Sequence, residues 1–109
     1  MIIGTFRRDV DSYTGRIQTL SIDAEINIRR APLSEVENAP AWRVFLGDAA
    51  AGVEIGAGWV RSGSRGIYLA LQIDDPLLTA PLRANLFDSR KAHDEHVLLW
   101  SRADAPGKD

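Results

Sequence analysis

From Leu20 the apolar side chains fall on every second position, at Leu20, Ile22, Ala24, Ile26 and Ile28, with Ser21, Asp23, Glu25, Asn27 and Arg29 between them. A period-two run of this kind predicts a strand, or two strands joined at a bulge, with one buried and one wet face. Ile2–Arg8 reads as a first strand, residues 9–15 carry turn chemistry, and residues 16–20 return. Pro32 and Pro40 bracket a loop over residues 30–41 that leaves room for one helical turn at most. Trp42–Leu46 is a short β run, closed by the small residues 47–52.

The clearest hairpin joins residues 53–61 to 67–73 through Ser62-Gly63-Ser64-Arg65-Gly66. Pairing Arg61 with Ile67 sets Trp59 opposite Leu69, Ala57 opposite Leu71 and Ile55 opposite Ile73, with both apolar sets on one side. Odd positions from 53 to 73 are then expected inside and even positions outside. Asp74-Asp75-Pro76 ends the second strand, because proline cannot donate to a ladder. After Pro81, Leu82, Ala84 and Leu86 are expected inward, and Arg83 and Asn85 outward. A charged turn over 88–95 leads to a last strand at 96–101, and residues 103–109 read as a flexible C-terminal tail. Neither a three-turn amphipathic helix nor an internal repeat is present. The pattern predicts a single all-β domain over residues 1–102 with at most short helical turns. Its architecture is a small, strongly curved antiparallel barrel or sandwich of about seven strands.

Composition narrows the chemistry more than the fold. With 109 residues, 45% hydrophobic and 26% charged, the chain can bury one core without staples. It has no cysteine, which excludes a thiol nucleophile, a disulfide and a Cys-ligated metal, and makes a reducing, cytoplasmic location the expectation. The net charge of −2 is spread along the chain, unlike that of a strongly basic nucleic-acid binder. Charge arrives by Arg7, too early for the apolar stretch of a signal peptide. No run approaches the ~18 apolar residues of a spanning helix, so no membrane partner is expected.

Ile3-Gly4-Thr5-Phe6, then Gly15-Arg16-Ile17-Gln18-Thr19-Leu20 and Ala39-Pro40-Ala41-Trp42-Arg43-Val44-Phe45, form a recognisable series. It continues with Glu54-Ile55-Gly56-Ala57-Gly58-Trp59, Tyr68-Leu69, Asp74-Asp75-Pro76, Ala80-Pro81-Leu82-Arg83-Ala84-Asn85-Leu86 and Leu99-Trp100-Ser101-Arg102. Taken in order, these segments resemble a family of small bacterial proteins catalogued as domain of unknown function 736. The resemblance implies no assigned activity and no catalytic residues to carry over. It does imply company among plasmid and conjugative-element genes. The stretches at 48–52 and 88–96 depart from the family pattern.

His93-Asp94-Glu95-His96 would bring two imidazoles to one ion only on a helical turn, and a bare H-x-x-H lacks further ligands, so no metal is expected. Asp74 and Asp75 diverge in extended chain and precede a proline, which suits a turn better than acid–base work. Gly56 and Gly58 lie inside a strand and open no helix, so they make no phosphate loop. No enzyme activity and no cofactor are expected. The tryptophans alternate with arginines in Trp42-Arg43, Trp59-Val60-Arg61 and Trp100-Ser101-Arg102, an interleaving that suits single-stranded nucleic acid. Core packing is the competing reading for each ring.

On the wet face of the hairpin, Gly56 and Gly58 are expected to leave bare backbone opposite Gln72 and Ala70. Tyr68, Gln72, Arg83 and Asn85 would ring that platform, and Arg43 beside Trp42 joins the set. The competing reading is that the glycines let the strand bend at a barrel corner. The expectation is a non-enzymatic binding module for single-stranded nucleic acid. A protein-interaction module, either a homo-oligomer paired through strand edges or an element-encoded inhibitor of a host protein, is the alternative.

Overall fold

The alternating segments form eight strands: β1 Ile2–Arg8, β2 Ser12–Gln18, β3 Asp23–Arg30, β4 Trp42–Leu46, β5 Val53–Gly63, β6 Gly66–Ile73, β7 Leu82–Asp88 and β8 Glu95–Leu99. The structure is a computed structural model that describes residues 1–47, 52–64 and 66–101; the expected tail at 103–109 lies outside the described residues. Each strand pairs antiparallel with its neighbour in the chain, and β8 pairs with β1, so the sheet closes as a barrel rather than a sandwich. Among the described residues there is no helix, and none therefore long and apolar enough to cross a membrane. Every strand is paired on both sides, so the sheet has no free edge of the kind that the alternative reading of an edge-paired homo-oligomer requires.

An eight-stranded barrel is just wide enough for side chains to fill. Phe6, Ile17, Ile26, Ile28, Val44, Leu86 and Leu98 do so, each at most 2% exposed. One end is plugged by an aromatic and cationic cluster. Tyr13 packs edge-on against Trp42 (5.2 Å between centroids) and His96 (5.1 Å). Arg8 Nη1 donates to the Tyr13 hydroxyl at 3.2 Å, and the Arg30 guanidinium sits 4.6 Å from the centre of the Trp42 ring. Burial is the main cause that pushes the Tyr13 phenol above its ordinary value, against the lowering effect of Arg8 and Arg30.

Three boundaries differ from the sequence pattern. β2 begins at Ser12, because Tyr13 is a core residue and Gly15 lies opposite Phe6. A Cβ at Gly15 would fall 2.6 Å from Phe6 Cγ, so the glycine that looks like turn chemistry instead makes room for the ring. The turn itself is shorter, closed where Asp9 N donates to Ser12 O at 2.8 Å. Leu20 continues no strand: it is fully exposed in the β2–β3 turn, where Ile22 N donates to Thr19 Oγ1 at 3.0 Å. β8 starts at Glu95 and ends at Leu99, slightly ahead of the expected strand.

The largest correction concerns β5. Leu69, Leu71 and Ile73 of β6 are buried as expected, but their partners are Val60, Gly58 and Gly56, not Trp59, Ala57 and Ile55. The cause is the hairpin's closure, where Ser62 rather than Arg61 pairs with Ile67 and Gly63 with Gly66. On the β4 side a β-bulge, with Val44 against Gly56 and Phe45 against Glu54, absorbs the offset and leaves Ile55 as the extra residue. Ile55 still packs against the core, yet beyond it the parity reverses, turning Ala57, Trp59 and Arg61 outward and Gly56 and Gly58 inward. Gly56 has the Gln72 carbonyl and Ile73 Cα against it, so the glycines serve close strand approach at a bend.

Candidate functional site

Outward positions of β4 to β7 form one continuous face. Alternation on β6 presents Tyr68, Ala70 and Gln72 outward, and the cross-strand partners are Arg61, Trp59 and Ala57 on β5. On the other side Ala70 faces Asn85 and Gln72 faces Arg83. The expected set of Tyr68, Gln72, Arg83 and Asn85 is therefore brought together. Its floor is Trp59 and Ala70, and not the backbone of Gly56 and Gly58, which are on the other side of the sheet. A depression of about 400 Å³ lies here, lined by Asn38, Trp59, Arg61, Ala70, Gln72, Arg83 and Asn85 among others.

Local contacts fix its walls. Trp59 Nε1 donates to the Asn38 carbonyl at 2.9 Å, and Ala41 N donates to Gly58 O at 3.0 Å, so the β3–β4 connection is strapped beside the ring. Asn38 takes a positive φ of 62°, which asparagine tolerates better than most residues. The Tyr68 and Phe87 rings stack obliquely next to the depression, 4.9 Å apart and tilted by 31°. A second depression of about 460 Å³ begins at Phe87 and runs past Ile67 to Ser89.

Arg43 is on the same outer face, opposite Ala57, but it is engaged. Both its Nε, at 3.0 Å, and its Nη2 donate to the Glu54 carboxylate, and the guanidinium lies 5.6 Å from the Phe45 ring centre. These hydrogen bonds, more than the charge itself, hold the Glu54 carboxyl below and the Arg43 guanidinium above their ordinary values. By contrast, neither Arg61 nor Arg83 has a carboxylate partner among the described residues. Both are exposed.

The remaining candidates are separate from this face. His93 is exposed in the β7–β8 turn, while His96 packs its ring on Tyr13 inside the barrel end, so the two imidazoles diverge. Among the described residues no group of three or more His, Asp or Glu is placed to hold a metal. Asp74 Oδ1 accepts from Asp75 N (2.9 Å) and Asp75 Oδ2 accepts from Leu77 N (3.0 Å), so each carboxylate braces its own turn. Of the tryptophans, Trp42 is buried and Trp100 packs half-buried against the core, whereas Trp59 is on the outside.

Sequence reasoning missed Trp59, Arg61 and Phe87 as members of the face. A signal was available for two of them. Trp59 and Arg61 are two apart and share a face, and a cation is a poor occupant of the inward side assigned to it.

An eight-stranded antiparallel barrel with an aromatic, arginine-bearing outer wall is the class of protein that fold and surface define. The chain belongs to the family described as Protein of unknown function (DUF736), whose model matches residues 2–103. No curated protein and no solved structure matches the chain.

Proposed function

We propose that this protein is a non-enzymatic binding module that takes single-stranded nucleic acid on the outer face of β5, β6 and β7. The observation that carries the reading is the outward placement of Trp59 between Arg61 and Arg83, beside the Tyr68–Phe87 ring pair. Bases stack on aromatic rings without regard to sequence, and guanidinium groups meet the backbone phosphates. Gln72 and Asn85 add donors and acceptors for base edges. A net charge of −2 makes phosphate attraction weak, so stacking supplies the larger share of affinity and the binding is of modest strength. The family resemblance suggests plasmid or conjugative-element biology as its setting, in the cytoplasm.

Titration of single-stranded oligonucleotides at low and high salt, read by tryptophan fluorescence, tests this. Quenching that weakens with salt and disappears in Trp59→Phe supports the reading. An absence of binding at every salt concentration overturns it.

A protein-interaction role is the second reading. Trp, Tyr and Arg are the residues enriched at protein interfaces, and the weak net charge suits that role better. Because all strand edges are paired, a self-complex would form face to face. A concentration-dependent dimer in light scattering, with no oligonucleotide response, would favour it.

A further inference from the structure

The barrel is plugged at one end by the Tyr13–Trp42–His96 cluster, but among the described residues it is open at the other. There, where β2–β3, β4–β5 and β6–β7 turn, the interior continues into a cavity of about 300 Å³. Ile17, Ile26 and Ile73 form its buried base, and Ala24, Ile55 and Leu82 its walls. The loop at 74–81 reaches across the opening. It is anchored where Asp74 N donates to Ile55 O at 2.9 Å and Leu78 N to Asp75 O at 2.9 Å, which brings Leu78 to the rim. The cavity is about twice the ~150 Å³ void that takes up benzene in a protein core, and it reaches the lower bound of ~300 Å³ for ligand pockets.

Its polar content is sparse and of one character. Ser21 and Asp75 are the only polar side chains in its lining among the described residues. Among the described residues, Asp74, Asp23 and Glu25 lie on the strands and loops that frame this end. Of the cations beside lining residues, Arg16 is committed to Asp23 at 2.6 Å and Arg83 is on the outer face opposite Gln72. An apolar body fits the walls, and a positive head fits the rim. An anionic head would meet like charge.

We propose that this mouth binds a small amphipathic cation, an alkyl or aromatic body of roughly benzene size or slightly larger carrying an ammonium group that pairs with Asp75. The site is on a different part of the barrel from the β5–β7 face and does not depend on its role.

The test uses n-hexylamine, n-hexanol and hexanoate, titrated into the full chain at neutral pH and followed by amide chemical shifts. Shifts should concentrate at Ile17, Ala24, Ile55, Ile73 and Leu78, with the amine bound at least tenfold tighter than hexanoate. Asp75→Asn keeps the acceptor that Leu77 N uses, and should bring the amine down to the affinity of hexanol. Ala24→Val, a one-step filling of the wall, should weaken amine and alcohol alike. Should either variant unfold, the rank order of the three probes on the unaltered chain decides alone. Equal binding of hexanoate and hexylamine, or shifts scattered away from these residues, would overturn the proposal.

Discussion

Leu71 Cδ2 occupies the space that a side chain at position 58 would need: a Cβ on Gly58 would lie 2.7 Å from it and 3.3 Å from Trp42 Cβ. This pairing inside the barrel is what the reversed parity of β5 produces, and it orders two substitutions. In Gly58→Ala the obstructing atom is the end of a flexible leucine, so we expect a loss of about 1 kcal/mol. In Gly56→Ala the obstruction is β6 backbone at Gln72 and Ile73, which cannot step aside, and the loss should reach about 3 kcal/mol. Urea unfolding midpoints of the two variants measure the order. Gly58→Ala costing more than Gly56→Ala would contradict the inward placement.

Oligonucleotide affinity should fall in Trp59→Ala by the loss of about one stacked base, ~1–3 kcal/mol. Arg83→Ala should weaken binding and lower the salt slope by about one ion. His93→Ala, on the remote β7–β8 turn, should leave affinity unchanged. Fluorescence anisotropy over a salt series checks all three. An equal loss in Arg83→Ala and His93→Ala would mean that the binding surface is elsewhere.

Glu54→Gln should release Arg43 toward the same face and tighten oligonucleotide binding severalfold, with a salt slope about one ion steeper. The folded state should barely notice, because both partners are 41% exposed. Acid should act in the same direction as the variant. With its folded pKa depressed, Glu54 keeps the pair intact above the ordinary carboxylate range and gives it up as pH falls through the folded value. Anisotropy at descending pH, wild type against Glu54→Gln, should show the difference between them closing.

Tyr13 predicts the alkaline limb. Its folded pKa is raised, chiefly by burial, so the unfolded chain releases this proton first. Its contribution to stability is complete below the unfolded value of ~10 and is lost as pH rises through the folded value. Unfolding midpoints between pH 8 and about 11 should therefore fall more steeply for the wild type than for Tyr13→Phe. In an absorbance titration the late-ionising phenol should vanish in that variant.

Alternation alone selected the inward faces of β6 and β7, where the buried positions Leu69, Leu71, Ile73, Ala84 and Leu86 are those of the apolar pattern. The first half of β2 was hidden because Ser12-Tyr13-Thr14-Gly15 has turn composition, and only the Phe6 ring across the sheet explains its glycine. In β5 the pattern was ambiguous by chemistry. Ile55, Ala57 and Trp59 are apolar on one parity, Gly56, Gly58 and Val60 on the other, and the choice turns on whether Arg61 or Ser62 pairs with Ile67 at the end of the hairpin. The polar members of the candidate face were legible because β6 and β7 kept register. Its aromatic floor was not, because it depended on a one-residue difference in where that hairpin closes.

Closure of β8 onto β1 also shapes how the molecule comes apart. A ring of strands has no outermost member to peel away, so opening anywhere sacrifices a whole ladder at once. The shortest ladder is β7–β8, from Asn85–Leu99 to Asp88–His96, and the longest is the β5–β6 hairpin, from Gly56–Ile73 to Gly63–Gly66. Slow amide exchange should persist in that hairpin after the β7–β8 amides have exchanged, and unfolding should begin by unzipping at this one seam.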